Sequence, residues 1–481
     1  EIHNGKKYKR KIFQYAKSIM KNSALQNIFL LLIFSVITVL TYLQMYQMVN
    51  LLFLFLCSIL LFTNRSLLIL IYIIILPTNS FISTEYNLLG FLHVSYIVNL
   101  FATIAVIIEW NLIPAFIKNQ IRNGENHKKY ARILILFLFL YLILTDLRLF
   151  YLGISDFEEI HKLITRPTKY FVKFYPLLLL IKLSELKRYQ EIVKRGFMIG
   201  TSLVAFTIIF SGYFTQLGFA TQDIDGLLEV SDQQVFTRRA GLFQNMGDEN
   251  SASGYLALFV GYLLLFGRNY KINLKITAII LSVLAIIATG SRTGFINLSL
   301  VILIFLFTRD FFRIRKMQYT FLLISIGFTF LALDLFDPIF ERFNQLKTGE
   351  DPALDPEGFG RLGGWIIYLD YIFSDIKIVF LGTTESIYNS FYSYSYERVA
   401  HNYFIQLWYY WGIIPLIIFL NIIFSFIRFA FKSYKKYALL ALFTPFFLTL
   451  FTVSDTGIFL AFILSLMAIE STFRKISFAD K

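Results

Sequence analysis

Residues Leu274–Thr308 read LKITAIILSVLAIIATGSRTGFINLSLVILIFLFT, two apolar runs joined at Gly290-Ser291-Arg292-Thr293-Gly294. Each run is about long enough, as a helix, to cross most of a hydrocarbon layer roughly 30 Å thick. The junction is short and small, so the runs form an antiparallel helical hairpin. Its tip holds one permanent cation, Arg292. An ionisable group kept so near lipid generally has a polar partner or a function.

Similar runs recur along the 481 residues. The chain is 57% hydrophobic, 18% aromatic and 16% charged, with mean hydropathy +0.63. A soluble domain of that composition would expose large apolar patches. The expected fold class is therefore all-α: a polytopic transmembrane helical bundle of about fourteen helices. The expected spans are 25–43, 48–63, 67–83, 90–109, 132–150, 170–184, 196–214, 251–268, 274–290, 293–308, 319–336, 401–430, 437–453 and 456–472. The 401–430 stretch reads as a short outer helix followed by the true span, broken near Gly412 and Pro415.

The net charge of +14 does not mark a nucleic-acid binder, because the cations cluster between apolar runs. With the N-terminus inside, Lys118 to Arg132, Lys187 to Arg195, Arg268 to Lys275, Arg309 to Lys316 and Lys432 to Lys436 all fall on the cytoplasmic side. The connections on the other side are acidic or mixed. Both termini are expected in the cytoplasm, and the protein in a bacterial cytoplasmic membrane. Residues 1–24 form a basic segment attracted to anionic lipid; Glu1 is not an initiator Met, so the native start is expected upstream. Residues 25–214 hold the first helices, 215–250 an outer loop, 251–336 helices with the Ser-Arg turn, 337–400 a large outer loop with short helices, 401–472 the last helices and 473–481 a tail. Cys57 is the single cysteine, which excludes an intrachain disulfide.

Four ionisable residues converge on the outer side in this threading: Arg238, Arg239, Arg292 and His401. A guanidinium suits phosphate oxygens, and Gly290, Ser291 and Gly294 would let an anion approach backbone N–H groups. Arg292 could equally snorkel to lipid headgroups. Arg238 and Arg239 could pair with Asp232 or Asp248. His401 can accept a proton at neutral pH, or be an ordinary interfacial residue. No paired-His or paired-Cys spacing suggests a metal, and Asp223-Ile-Asp225 is a weak signal. Arg361 to Phe373 reads as an amphipathic helix on the membrane surface.

Three stretches together resemble the O-antigen ligase and Wzy-type polysaccharide polymerase superfamily. They are Arg239-Ala-Gly241-Leu-Phe243-Gln-Asn245 with Ser251-Ala-Ser-Gly; Thr289 to Gly294; and Gly360-Arg361 with Trp365, Phe380-Leu-Gly382, His401-Asn402-Tyr403-Phe-Ile-Gln406 and Trp411-Gly412-Ile-Ile-Pro415. The resemblance spans about residues 235–425. It implies a GT-C-like membrane glycosyltransferase whose donor is an undecaprenyl-pyrophosphate-linked glycan, used without cofactor. It implies that Arg292 and Arg239, with Arg238 as alternative, hold pyrophosphate and that His401 activates the acceptor hydroxyl. Ser291, Asn402, Arg361, Asn245 and Tyr403 would support substrate. The usual Pro-Asn pair is replaced by Gln244-Asn245-Met246, which leaves the choice of loop arginine open. The expected partners are membrane lipid, the lipid-linked donor and acceptor, a chain-length regulator and a flippase, with no nucleic acid. The expected activity is repeat-unit polymerisation. A ligase with another acceptor and a lipid-linked oligosaccharide transporter are the alternatives.

Overall fold

A computed structural model describes Val36 and residues 46–76, 94–115, 117–118, 175–209, 249–267, 270–289, 291–307, 361–382, 402–432, 436–451 and 462–469. Every regular element among the described residues is a helix. In chain order these are α1 (Tyr46–Thr63), α2 (Arg65–Ile75), α3 (Val94–Leu112), α4 (Lys187–Ile209), α5 (Glu249–Phe266), α6 (Ile272–Ala288), α7 (Arg292–Phe307), α8 (Arg361–Ser374), α9 (Ile376–Leu381), α10 (Tyr403–Trp411), α11 (Ile413–Lys432) and α12 (Lys436–Leu450). Residues 175–183 and 462–469 are also helical.

One of these, α4, is long and apolar enough to cross a membrane by length and composition; the other apolar helices are shorter over their described lengths. Among the described residues most helix ends fall close to the expected ones, but α4 begins at Lys187, well before the expected 196; the expected spans 132–150 and 319–336, and 25–43 apart from Val36, lie outside the described residues. The 401–430 stretch divides at Gly412 into α10 and α11. Pro415 lies in the first turn of α11, where the missing N–H removes no helical bond.

Helix α5 is the hub. From Asn250 to Leu264 every side chain is buried, as expected of a helix that is apolar on all sides. It packs against α4, α6, α7 and α12. Small residues make that possible. A Cβ added at Gly254 would lie 2.7 Å from Thr449 Cγ2 on α12, and one at Gly294 on α7 would lie 2.5 Å from Ser253 Oγ. Aromatic rings fill the remaining space: Phe197 of α4 meets Phe259 edge-on at 5.1 Å and Tyr262 at 5.4 Å.

Polar contacts join helix ends in two groups. At one end, Arg65 Nε donates to Glu109 Oε1 at 2.7 Å, and Tyr189 donates to the other oxygen of the same carboxylate. Arg188 donates to Ser66 there, and the Tyr270 hydroxyl donates to the Lys194 carbonyl at 3.0 Å. We call this the basic rim. At the opposite end, Ser291 meets Asn250 and Phe404 meets Phe451. Each contact joins residues that the charge pattern assigns to one side.

Candidate functional site

The hairpin tip is built by local capping. Helix α6 stops at Thr289, whose hydroxyl donates to the Ile286 carbonyl at 2.6 Å. Ser291 Oγ then accepts from the Gly294 N–H at 3.1 Å, which starts α7 with the usual N-cap bond. The same hydroxyl donates to Asn250 Oδ1 at 2.7 Å. Ser291 thus fixes α7 to the first turn of α5, and both residues are buried. Arg292 is the first residue of α7 and is half-buried. A cation at a helix N-terminus opposes the helix dipole, a cost of about 0.3–1 kcal/mol. Helix stability therefore does not account for an arginine at this position.

From the tip a buried polar seam runs inward between α5, α7 and α12. Asn297 Nδ2 donates to Thr449 Oγ1 at 3.0 Å, and Thr449 donates onward to the Pro445 carbonyl at 2.5 Å. Ser251 Oγ and Asn297 Oδ1 are buried in this seam and make no hydrogen bond among the described residues. Such atoms carry a desolvation cost of about 1–3 kcal/mol unless water or a ligand meets them.

The seam ends beside α10. Phe404 packs on Phe451 at 4.9 Å and on Phe447 at 6.1 Å, both at the Thr449 end of α12. Asn402, directly before α10, is buried and caps it: its Oδ1 accepts from the Phe404 and Ile405 N–H groups at 3.0 and 3.2 Å. Tyr403 packs on Phe419 at 5.1 Å and is buried. Asn402, Tyr403 and Ser291 therefore have defined structural duties, and they lie at the same end of the molecule as Arg292. Arg361 begins α8. His401, Arg238, Arg239 and Asn245, the Asp223–Asp225 pair and the side chain of Arg361 lie outside the described residues.

Gln406 entered the sequence reading only as a member of the third motif, with no site role assigned. It lies one turn beyond Asn402 on α10, and its buried Oε1 makes no hydrogen bond among the described residues. The i, i+4 spacing from Asn402 was the available signal.

Helices α8 and α9 pack on α10. Tyr368 meets Tyr409 at 4.7 Å, and Trp408 Nε1 donates to the Val379 carbonyl at 3.1 Å. Partial burial pushes the Tyr371 phenol above its ordinary value, so it stays protonated at neutral pH. Helices α9 and α10 end at Gly382 and Gly412, with φ of 77° and 81°, and their backbones cross in contact. Among the described residues no three His, Cys, Asp or Glu side chains come together.

Comparisons with protein-family models, with curated proteins and with solved structures find no match. The family likeness thus rests on its three short motifs.

The close approach at the tip has a measurable consequence. Gly294→Ala should push α7 off α5 and strain the Ser291–Asn250 bond, because Ser253 Oγ and Ile286 stand at 2.5 and 3.3 Å from the new carbon. The expected cost is about 1–3 kcal/mol, read as a lower melting midpoint in detergent. A midpoint equal to wild type would contradict this packing.

Proposed function

We propose that the chain is an integral-membrane glycosyltransferase that polymerises lipid-linked glycan repeats on the extracytoplasmic face, from a bundle of about fourteen membrane crossings. Large exposed apolar side chains on the helices, among them Phe55, Phe62, Phe424 and Phe431, support a lipid-facing exterior. A soluble surface rarely tolerates so many. The basic rim would face the cytoplasm by the charge rule.

One observation carries the catalytic reading. The Ser-Arg start of α7 and the Asn402 start of α10 share the end opposite the basic rim, and helix α12 contacts both neighbourhoods. His401 immediately precedes Asn402 in the chain, which supports assigning the base and the cation to one end. In the proposed reaction an acceptor hydroxyl attacks the anomeric carbon of the donor sugar as its bond to the pyrophosphate oxygen breaks. Configuration inverts. His401 takes the hydroxyl proton, while Arg292 and Arg239 (or Arg238) neutralise the departing diphosphate. Diphosphate is already a stable anion, so no acid is needed at the leaving oxygen. A polyprenyl tail would lie along the exposed apolar helix faces.

The direct test is purified protein with a synthetic undecaprenyl-pyrophosphate repeat unit. A glycan ladder from that substrate alone is expected, and the ladder should persist in EDTA. Transfer only to a different acceptor would make the protein a ligase. No transfer, with substrate moved across vesicles instead, would make it a transporter. Loss in EDTA with rescue by Mn²⁺ would overturn the metal-independent mechanism in favour of Asp223 and Asp225.

A further inference from the structure

We propose that the basic rim holds a binding site for the phosphate headgroup of an anionic phospholipid, formed by Trp110, Lys118 and Lys182. It rests on the membrane-embedded reading above and is independent of the glycosyltransferase chemistry.

Three chain segments build the site. Trp110 lies in the last turn of α3 and is half-buried. Lys118 follows Pro114, reaches back to place Nζ 5.7 Å from the indole centroid, and donates to the Asn111 carbonyl at 3.3 Å. Lys182, from the helical stretch before α4, brings its Nζ to 5.5 Å from the same centroid. Two ammonium groups thus share one ring. A ring face attracts cations but does not neutralise them.

Glu109, next to Trp110 in the chain, is occupied by Arg65 and Tyr189, and Glu185, three residues after Lys182, places one negative charge on the same rim. Neither lysine is ion-paired among the described residues. Arg188, which donates to Ser66 on the same rim, adds a further positive charge. Both ammonium groups lie close to one ring, at 5.7 and 5.5 Å from its centroid, and a phosphate seated at the ring edge would offer oxygens to both.

The adjoining surface selects a lipid over a free anion. Leu100, Ile104 and Ile107 are exposed on α3 at spacings of four and three, and Leu112 is 64% exposed beyond the ring. From Leu100 to Leu112 the helix rises about 18 Å, close to the roughly 15 Å hydrocarbon depth of one leaflet. The stripe would carry acyl chains while indole and ammonium groups hold the headgroup at the interface.

The test uses the full chain purified in detergent, exchanged into mixed phosphatidylglycerol and phosphatidylcholine, stripped, and read by native mass spectrometry. Wild type should retain phosphatidylglycerol preferentially. The K118Q/K182Q double variant should retain about tenfold less, K118R/K182R should recover it, and K377Q, at the other end, should match wild type. Melting midpoints confirm that each variant is folded. Equal retention of both lipids, or unchanged retention in K118Q/K182Q, overturns the proposal. Displacement of the lipid by inorganic phosphate at matched headgroup concentration would assign the lysines to a free anion instead and overturn the lipid assignment. Glycan transfer is assayed in parallel, so a missing ladder with normal lipid retention would sink the enzymatic reading alone.

Discussion

Replacing Gly412 with alanine is expected to release α10 from α9 and to destabilise the protein by more than about 4 kcal/mol. Two effects add. At φ 81° and ψ −178° the backbone lies in a region essentially reserved for glycine, worth of order 1–3 kcal/mol against another residue. The new Cβ would also lie well inside contact distance of the Phe380 carbonyl and 2.8 Å from the Leu381 nitrogen. These are backbone atoms, so no side-chain rotation relieves the clash. Gly382→Ala meets the reciprocal obstacle, the backbone of Tyr410 and Trp411, with the Trp411 nitrogen at 2.5 Å. The paired glycines hold the α8–α9 unit against the helix that follows His401. Tryptic cutting at Lys377 should accelerate in Gly412→Ala, and the melting midpoint should fall sharply. Gly267→Ala is the control, since its nearest neighbour would stand at an ordinary 3.4 Å. A Gly412→Ala protein that melts and cuts like wild type would refute the clasp.

His401→Ala is expected to reduce glycan transfer by about 10²–10⁴-fold, the usual range for a lost general base, with little change in melting midpoint. Helix α10 takes its N-cap from Asn402. Asn402→Ala should show the converse on stability: loss of about 1 kcal/mol for the missing cap. A neutral imidazole is the form that accepts a proton, so wild-type activity should show an acid limb. That acid limb should be absent from the residual activity of His401→Ala. Normal transfer by His401→Ala, or an unchanged acid limb in its residual activity, would remove His401 from the chemistry. Arg292→Gln should likewise cost far more activity than the same change at Arg166, an arginine between the expected spans 132–150 and 170–184 that belongs to none of the three motifs; equal effects would argue against a phosphate role.

The motifs that suggested a family have physical explanations here, and those explanations differ from motif to motif. Ser291 and Asn402 are N-caps, a role that short polar residues before apolar runs announce in sequence. Gly382 and Gly412 stood out only as members of motifs. Their mutual contact was invisible, because it depends on two helix ends that are distant in sequence crossing in space. Asn297 looked like an ordinary polar residue in an apolar helix, and Gln406 was only a motif member with no role. Their buried, unmatched oxygens emerge only when neighbouring helices close around them. Arg292 was legible because a guanidinium in a tight turn between apolar runs is conspicuous without any fold.

Among the described residues, the helical character, most helix ends and the assignment of residues to two ends came from local information: apolar run length, capping residues, breakers, and the distribution of Lys and Arg. These are properties of a few neighbouring residues and need no packing. The central place of α5, the seam between α5, α7 and α12, the glycine clasp, and the meeting of Lys118 and Lys182 on Trp110 were decided by tertiary structure alone. Each depends on which apolar faces pair, and the apolar helices here are too alike in composition for sequence to specify their neighbours. Only shape complementarity at small residues such as Gly254 and Gly294 makes that choice.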